Sequence, residues 1–251
     1  MLDGLTRGAP AFLASVTNAA EAETAVAGGA DIIDAKDPSQ GALGALSPER
    51  IRAIVSEVKE SVPVSATIGD LPSDAAVMCT AARSVAGCGV TLVKCGFFGT
   101  GPHHDAVAAL GQLNLGQARL AGVLMADMAP DFALIAAMAR AGFAAVMLDT
   151  GDKTSGGLRA ALSEARIVEF LTLARRQGLV AGLAGSLAIR DIAPLIPLNP
   201  DVLGFRGALC GGGRTGSIDA ARLVAVKSAL GAAVKASALA AMHSGGERSV
   251  A

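Results

Sequence analysis

Residues 27–36 read AGGADIIDAK, and the joint they form recurs as AGCGVTLVK at 86–94 and AGFAAVMLD at 141–149. Each joint places glycine just past an alanine-rich stretch and then turns to a short apolar run. Glycine tolerates the left-handed residue that ends a helix. A continuous apolar run suits a strand covered on both faces, as in a parallel sheet. Each joint therefore reads as helix, cap, strand.

Working outward with the same pattern, strands are expected at 11–16, 31–36, 63–68, 90–95, 120–125, 144–149, 179–184 and 201–206. Helices are expected at 18–28, 48–60, 73–86, 103–112, 130–141, 158–177, 187–194 and 217–236. Ser47 and Ser73 are candidate N-caps, and Pro48, Pro72 and Pro130 sit at or just before helix starts, where a missing N–H costs little. Eight β-α units with parallel crossovers close naturally into a (β/α)8 TIM barrel. The expected fold is thus an α/β barrel in one catalytic domain over residues 1–236, with a doubly wound open sheet as the alternative. Residues 237–251 lose the pattern and are expected to fray.

Composition narrows the function classes. The 251 residues are 52% hydrophobic and 17% charged, with a net charge of −1. The mean hydropathy of +0.51 owes much to alanine. Charge-free runs such as 8–20 and 106–118 fall short of the ~18 residues of a spanning helix. There is no basic block and little aromatic content, which argues against a nucleic-acid groove. The N-terminus carries Asp3 and lacks a long apolar core, which argues against a secretory signal. Cys79, Cys88, Cys95 and Cys210 form no C-x-x-C and read as buried reduced thiols. A cytoplasmic enzyme is expected, without nucleic-acid or membrane partners, and homo-oligomeric.

A barrel gathers chemistry at the C-terminal ends of its strands. The strand ends here carry Asp34 and Lys36, then Thr67 and Asp70, Lys94, Asp127, Asp149 with Lys153 in its loop, and Arg206. Asp34 and Lys36 are two apart and project to one face of a strand. Alternate strands share an interior layer, so Lys36 and Lys94 can be neighbours. Two close ammonium groups, and burial, both favour a neutral amine able to form a Schiff base with a carbonyl. The bland alternative for each lysine is a snorkelling side chain with a wet head.

The loops after strands 7 and 8 read LAGS (183–186) and RGALCGGGRTGS (206–217). In many barrels this pair of loops binds phosphate through backbone N–H groups. Gly185, Ser186, Arg206 and Gly207 are the candidates, with Arg206 or Arg214 as the charge partner. The alternative is that Gly211–Gly213 is only a flexible loop. GxGxxG and P-loop motifs are absent. Adjacent residues on a helix diverge, so His103 and His104 make a poor metal pair and read as a solvated helix start.

On these residues the chain resembles the (5-formylfuran-3-yl)methyl phosphate synthase family of methanofuran biosynthesis. The blocks that carry the resemblance are GGADIIDAKDPSQGALGA (28–45), VSATIGDLP (64–72), VKCGFFGT (93–100), VMLDT (146–150) with a following Lys153, LAGS (183–186) and FRGALC (205–210). The resemblance implies a carbon–oxygen lyase that condenses two molecules of glyceraldehyde 3-phosphate to a furan aldehyde phosphate, with loss of one phosphate and two waters. It implies no metal and no organic cofactor. It carries the catalytic set over onto Asp34, Lys36, Lys94, Asp149 and Lys153, with Lys36 as the Schiff-base lysine. The loop before Lys153 reads TGD, and Asp152 adds a carboxylate there.

Two other readings stay open at this point. One is another Schiff-base phosphosugar aldolase or decarboxylase. The D-x-K at 34–36 is similar to the D-x-K-x-x-D of the orotidylate decarboxylase group, but the second Asp of that motif falls on Ser39. The other is a catalytically silent barrel that binds a phosphorylated metabolite.

Overall fold

The computed structural model describes residues 9–152 and 156–246, the last four of these by backbone alone. Eight strands run in sequence order around a closed barrel: β1 (Ala11–Val16), β2 (Ile32–Ala35), β3 (Val64–Thr67), β4 (Leu92–Phe97), β5 (Arg119–Met125), β6 (Ala145–Asp149), β7 (Val180–Leu183) and β8 (Val202–Phe205). All neighbours are parallel, and β1 pairs with β8 to close the ring. The doubly wound alternative is thereby ruled out.

The outer helices are α1 (Ala19–Ala27), α2 (Pro48–Val58), α3 (Ala75–Ala86), α4 (His103–Gly111), α5 (Ala133–Arg140), α6 (Leu158–Ala161), α7 (Glu164–Arg176), α8 (Ile189–Leu195) and α9 (Ala220–Gly246). Gly29, Gly142 and Gly178 take positive φ just after helices end, as a left-handed cap requires, while at the second joint Gly87 stays in the right-handed region and Gly89 takes the positive φ. Ser47 caps α2 by accepting from Arg50 N–H. Ser73 does not cap α3; Asp74 does, one residue later.

Two expectations need correction. The helix expected over 158–177 is two helices, because Ser163 interrupts it and caps α7 by accepting from Arg166 N–H. The fraying expected from 237 does not begin there, since α9 continues to Gly246. Residues 236–242, ASALAAM, contain no Pro or Gly and are strong helix formers. Within α9, Ala220–Met242 is long and apolar enough to cross a membrane on length and composition. Its Leu223, Val226 and Leu230 are buried against the barrel, and Leu223 packs where a Cβ on Gly28 would stand, 2.9 Å away.

The core has two parts. One fills the layer between strands and helices and holds Phe12, Phe170 and Phe205, all essentially inaccessible. The other fills the barrel lumen with Leu13, Ile32, Val123, Met125, Met147 and Val202. Ala42 and Leu43, from the loop after β2, join this lumen group. Fully burying side chains of this size contributes roughly 1.5–3 kcal/mol each. A plugged lumen leaves only its open end for polar chemistry.

Candidate active site

The strand register brings Ser15, Asp34 and Ser65 side by side across β1, β2 and β3. Same-level residues in adjacent strands point to the same face, so two hydroxyls flank one carboxylate. Asp34 is wholly buried. Its Oδ2 accepts from Ser15 Oγ at 3.0 Å, and its Oδ1 accepts from Ser65 Oγ at 2.7 Å and Lys94 Nζ at 3.0 Å. Burial alone would push this carboxyl up. The charges of Lys94 and Lys36 and the Ser65 hydrogen bond outweigh burial and hold it below its ordinary value.

Lys36 lies just past β2, on the same face as Asp34 and nearer the mouth. Its Nζ faces Asp149 Oδ2 at 3.6 Å, an ion pair longer than a good hydrogen bond. Asp149 ends β6, and its Oδ1 accepts from Thr150 N–H at 2.8 Å. Each lysine has its own carboxylate, Asp149 for Lys36 and Asp34 for Lys94, and both line the same cavity. Lys153 lies outside the described residues.

Two carboxylates expected at the rim hold loops. Asp70 accepts from Ala42 N–H at 2.7 Å and Leu43 N–H at 2.6 Å, pinning the loop after β2. Asp127 accepts from Gly151 N–H and Asp152 N–H, both at 2.7 Å, pinning the loop after β6. A Cβ on Gly41 would collide with the Asp70 carboxylate, and Gly41 sits at φ 106°, so glycine is required there. Thr67 donates to Gly44 carbonyl at 3.0 Å and steadies the same loop.

Arg206 departs from its expected role. All five of its N–H donors are taken: Nε by Arg214 carbonyl, Nη1 by Ser15 carbonyl and Glu21, Nη2 by Glu21 and Gly216 carbonyl. With none to spare, it braces the loop after β8 and is not the free charge partner of a phosphate. Glu21 was not singled out from sequence, where TNAAE reads as an ordinary helix start. Its carboxylate accepts from Arg206 at 2.6 Å and from Thr17 N–H at 2.8 Å. Burial raises the Glu21 carboxyl, but these hydrogen bonds and the Arg206 charge bring it below its ordinary value.

His103 is also corrected. It is 9% exposed, not solvated. Its Nδ1 meets Ser73 Oγ at 2.6 Å and its Nε2 meets Gly99 carbonyl at 2.9 Å, joining the loops after β3 and β4. His104 is exposed, 3.8 Å from Asp131. The four cysteines are buried and free. Among the described residues, no group of three or more His, Cys, Asp or Glu could hold a metal ion.

A cavity of about 350 Å³ opens at this barrel end. Asp34, Lys36, Lys94 and Asp149 line it. Gly185, Ser186, Gly207, Ala208 and Arg214, from the loops after β7 and β8, line it too. Gly185 (φ 102°) and Ser186 (φ 50°) both take the left-handed side of backbone space. A Cβ on Gly185 would press on Thr150 at 3.0 Å, so glycine lets the loop after β7 lie close to β6. Gly207–Leu209 form a 3-10 turn, whose first N–H groups have no acceptor within the turn. Amines and carboxylates together with glycine-rich backbone in one cavity suit carbonyl chemistry on a small phosphorylated molecule.

A family model for 4-HFC-P synthase matches residues 12–227. A putative (5-formylfuran-3-yl)methyl phosphate synthase from Methylorubrum extorquens is 40% identical over 232 residues, covering 91% of this chain and 95% of that one. The (5-formylfuran-3-yl)methyl phosphate synthase of Methanosarcina mazei is 35% identical, covering 82% and 93%. That of Methanopyrus kandleri is also 35% identical, covering 80% and 90%. Among solved structures, phosphoribosyl anthranilate isomerase from Thermus thermophilus superposes with a TM-score of 0.61 at 16% identity, covering 88% of this chain and 98% of that one. KGPDC from Streptococcus mutans gives 0.61 at 16%, covering 88% and 97%. At such identities these two likenesses show the barrel fold alone.

Proposed function

The chain belongs to the 4-HFC-P synthase family of enzymes, and from that premise we propose that it condenses two molecules of glyceraldehyde 3-phosphate to (5-formylfuran-3-yl)methyl phosphate through a Schiff base on Lys36, as a carbon–oxygen lyase of methanofuran biosynthesis. The observation that carries the choice of Lys36 is its place at the cavity mouth, 3.6 Å from Asp149, while Lys94 is held on Asp34 at 3.0 Å. An amine must be accessible and able to give up its proton to attack a carbonyl. Asp149 is placed to take that proton.

The attack forms a C–N bond at the triose carbonyl carbon and expels its oxygen as water. The iminium draws electrons from the neighbouring carbon, whose proton then leaves to a base. On the carbon beyond, a phosphate ester is β to the resulting enamine and departs with the C–O electron pair. The second triose isomerises to its ketose, dihydroxyacetone phosphate, the three-carbon unit left on Lys36 adds to that central carbonyl by a carbon–carbon bond, and ring closure with loss of two waters completes the furan. Hydrolysis of the imine returns the water that its formation released, so the net loss is one phosphate and two waters. Lys94, anchored on Asp34, presents its ammonium to the cavity, where it can stabilise developing negative charge. Lys153 is assigned to the same set through the family resemblance.

Borohydride trapping with glyceraldehyde 3-phosphate, followed by peptide mass spectrometry, tests this reading. The expected adduct lies on Lys36. Furan aldehyde formation with no adduct on that lysine would exclude the imine route. With no Trp and no Tyr in the chain, protein absorbance near 280 nm is low and the product chromophore is easily followed.

A further inference from the structure

Four described cations line the cavity: Lys36, Lys94, Arg206 and Arg214. Three of them have a carboxylate partner, namely Asp149, Asp34 and Glu21. Arg214 has none among the described residues. Its guanidinium donates from Nη2 to the Gly41 carbonyl at 2.8 Å, across the cavity mouth from the loop after β8 to the loop after β2. A neutral carbonyl is a weak partner for a guanidinium. Arginine presents a planar fork of five donors that matches phosphate oxygens two at a time.

The backbone of Arg214 is firmly placed even though its head is lightly held. Its own carbonyl accepts from Arg206 Nε at 2.9 Å, and the nearby Gly216 carbonyl accepts from Arg206 Nη2 at 2.7 Å. Just before it, Gly211, Gly212 and Gly213 face open space, with positive φ at Gly212 and Gly213. This combination suits a side chain that swings over a small arc on a fixed base.

We propose that Arg214 is the phosphate-gripping side chain of this site and that an incoming phosphate takes over the donor now given to the Gly41 carbonyl. The assignment rests on a phosphorylated substrate, as in the proposed reaction, but not on the identity of that substrate. It replaces Arg206, the nearer choice by sequence, whose donors are all spent. It also couples occupancy to the loop that begins at Lys36: binding phosphate frees Gly41, while Asp70 keeps Ala42 and Leu43 in place.

The test is calorimetric titration of inorganic phosphate into the full-length protein, alongside the Arg214→Ala and Arg214→Lys variants. A charged fork lost from a phosphate contact weakens binding on the order of tenfold to a hundredfold. That loss is expected for Arg214→Ala, with a smaller one for Arg214→Lys, at thermal midpoints close to the wild type. Equal phosphate affinity in wild type and Arg214→Ala would overturn the proposal, as would wild-type protein that binds no phosphate. If the alanine variant does not fold, phenylglyoxal labelling of the wild type decides. Labelling of Arg214 that phosphate blocks supports the assignment, and labelling that phosphate leaves unchanged overturns it. Phosphate binding that depends on Arg214, without turnover of glyceraldehyde 3-phosphate, would count against the proposed reaction and in favour of Arg214.

Discussion

The Lys94–Asp34 pair and the Lys36–Asp149 pair lie at the same barrel end, but their surroundings differ. Asp34 is fully buried and receives three hydrogen bonds from Ser15, Ser65 and Lys94. Lys36 approaches Asp149 only to 3.6 Å, nearer the mouth. A buried charge with its hydrogen bonds satisfied is costly to disturb. A longer contact near the opening can exchange its partner for a substrate. The contrast teaches a division of labour: the deep pair sets a fixed field, and the outer pair does covalent chemistry.

The sharpest way to break that contrast is to remove Lys36. Lys36→Ala should lower turnover by on the order of ten-thousandfold, or about 5.5 kcal/mol of barrier, because the covalent route is lost. Its thermal midpoint should stay close to the wild type. Product formation followed by absorbance checks the first expectation and calorimetry the second. A Lys36→Ala protein with near-normal turnover, or trapping that labels Lys94, would reverse the two roles.

Removing Lys94 tests the other half. Lys94→Met leaves the Asp34 carboxylate buried beside an apolar side chain, which should cost about 3–5 kcal/mol of stability. Pairing it with Asp34→Asn should recover much of that loss in denaturant unfolding. The same pair sets an acid limit. Because the Asp34 carboxyl is held below its unfolded value, its contribution is complete above the unfolded pKa of about 3.9 and is lost as pH falls through the folded value. Wild-type stability should therefore fall on acidification below about pH 4, and the double variant should lack that share of the slope. A double variant with the full wild-type slope would show that other carboxylates carry it.

What could be read from sequence follows the same contrast. The joints at 27–34, 86–94 and 141–149 announced the barrel because helix caps and strand runs are local features. The strand-end residues Asp34, Lys36, Lys94 and Asp149 followed once strand direction was fixed. The partners of those residues were hidden, since Ser15 and Ser65 reach Asp34 only through inter-strand register. Glu21 was hidden too, being 185 residues from Arg206 in the chain. His103 looked solvated because nothing near it in sequence reveals Ser73, thirty residues earlier, or the ring of Phe97 against it. The extent of α9 is hidden because the amphipathic pattern ends near 236 while the helix runs on, alanine sustaining helix without a pattern.

The smallest expected effect sharpens the comparison at the loops. Asp70 and Asp127 each grip two consecutive N–H groups, one after β2 and the other after β6. The loop after β2 has further ties, since Thr67 holds Gly44 and Leu43 is buried in the lumen. The bonds from Gly151 and Asp152 N–H to Asp127 lie at the exposed rim, and that loop leads to Lys153. An asparagine at either position offers one oxygen and turns an N–H₂ toward the second backbone donor. Asp127→Asn should therefore lower kcat only several-fold, roughly 1 kcal/mol in barrier. It should leave the thermal midpoint within about a degree or two, because the group lost is solvated. Asp70→Asn should act in the opposite sense, costing about 1–2 kcal/mol of stability with a smaller change in kcat, because part of its loss falls on a buried segment. Parallel kcat and unfolding measurements on the two variants check the difference. Equal losses in both would mean that the two loops are held alike and that the outer pair owes nothing to a looser frame.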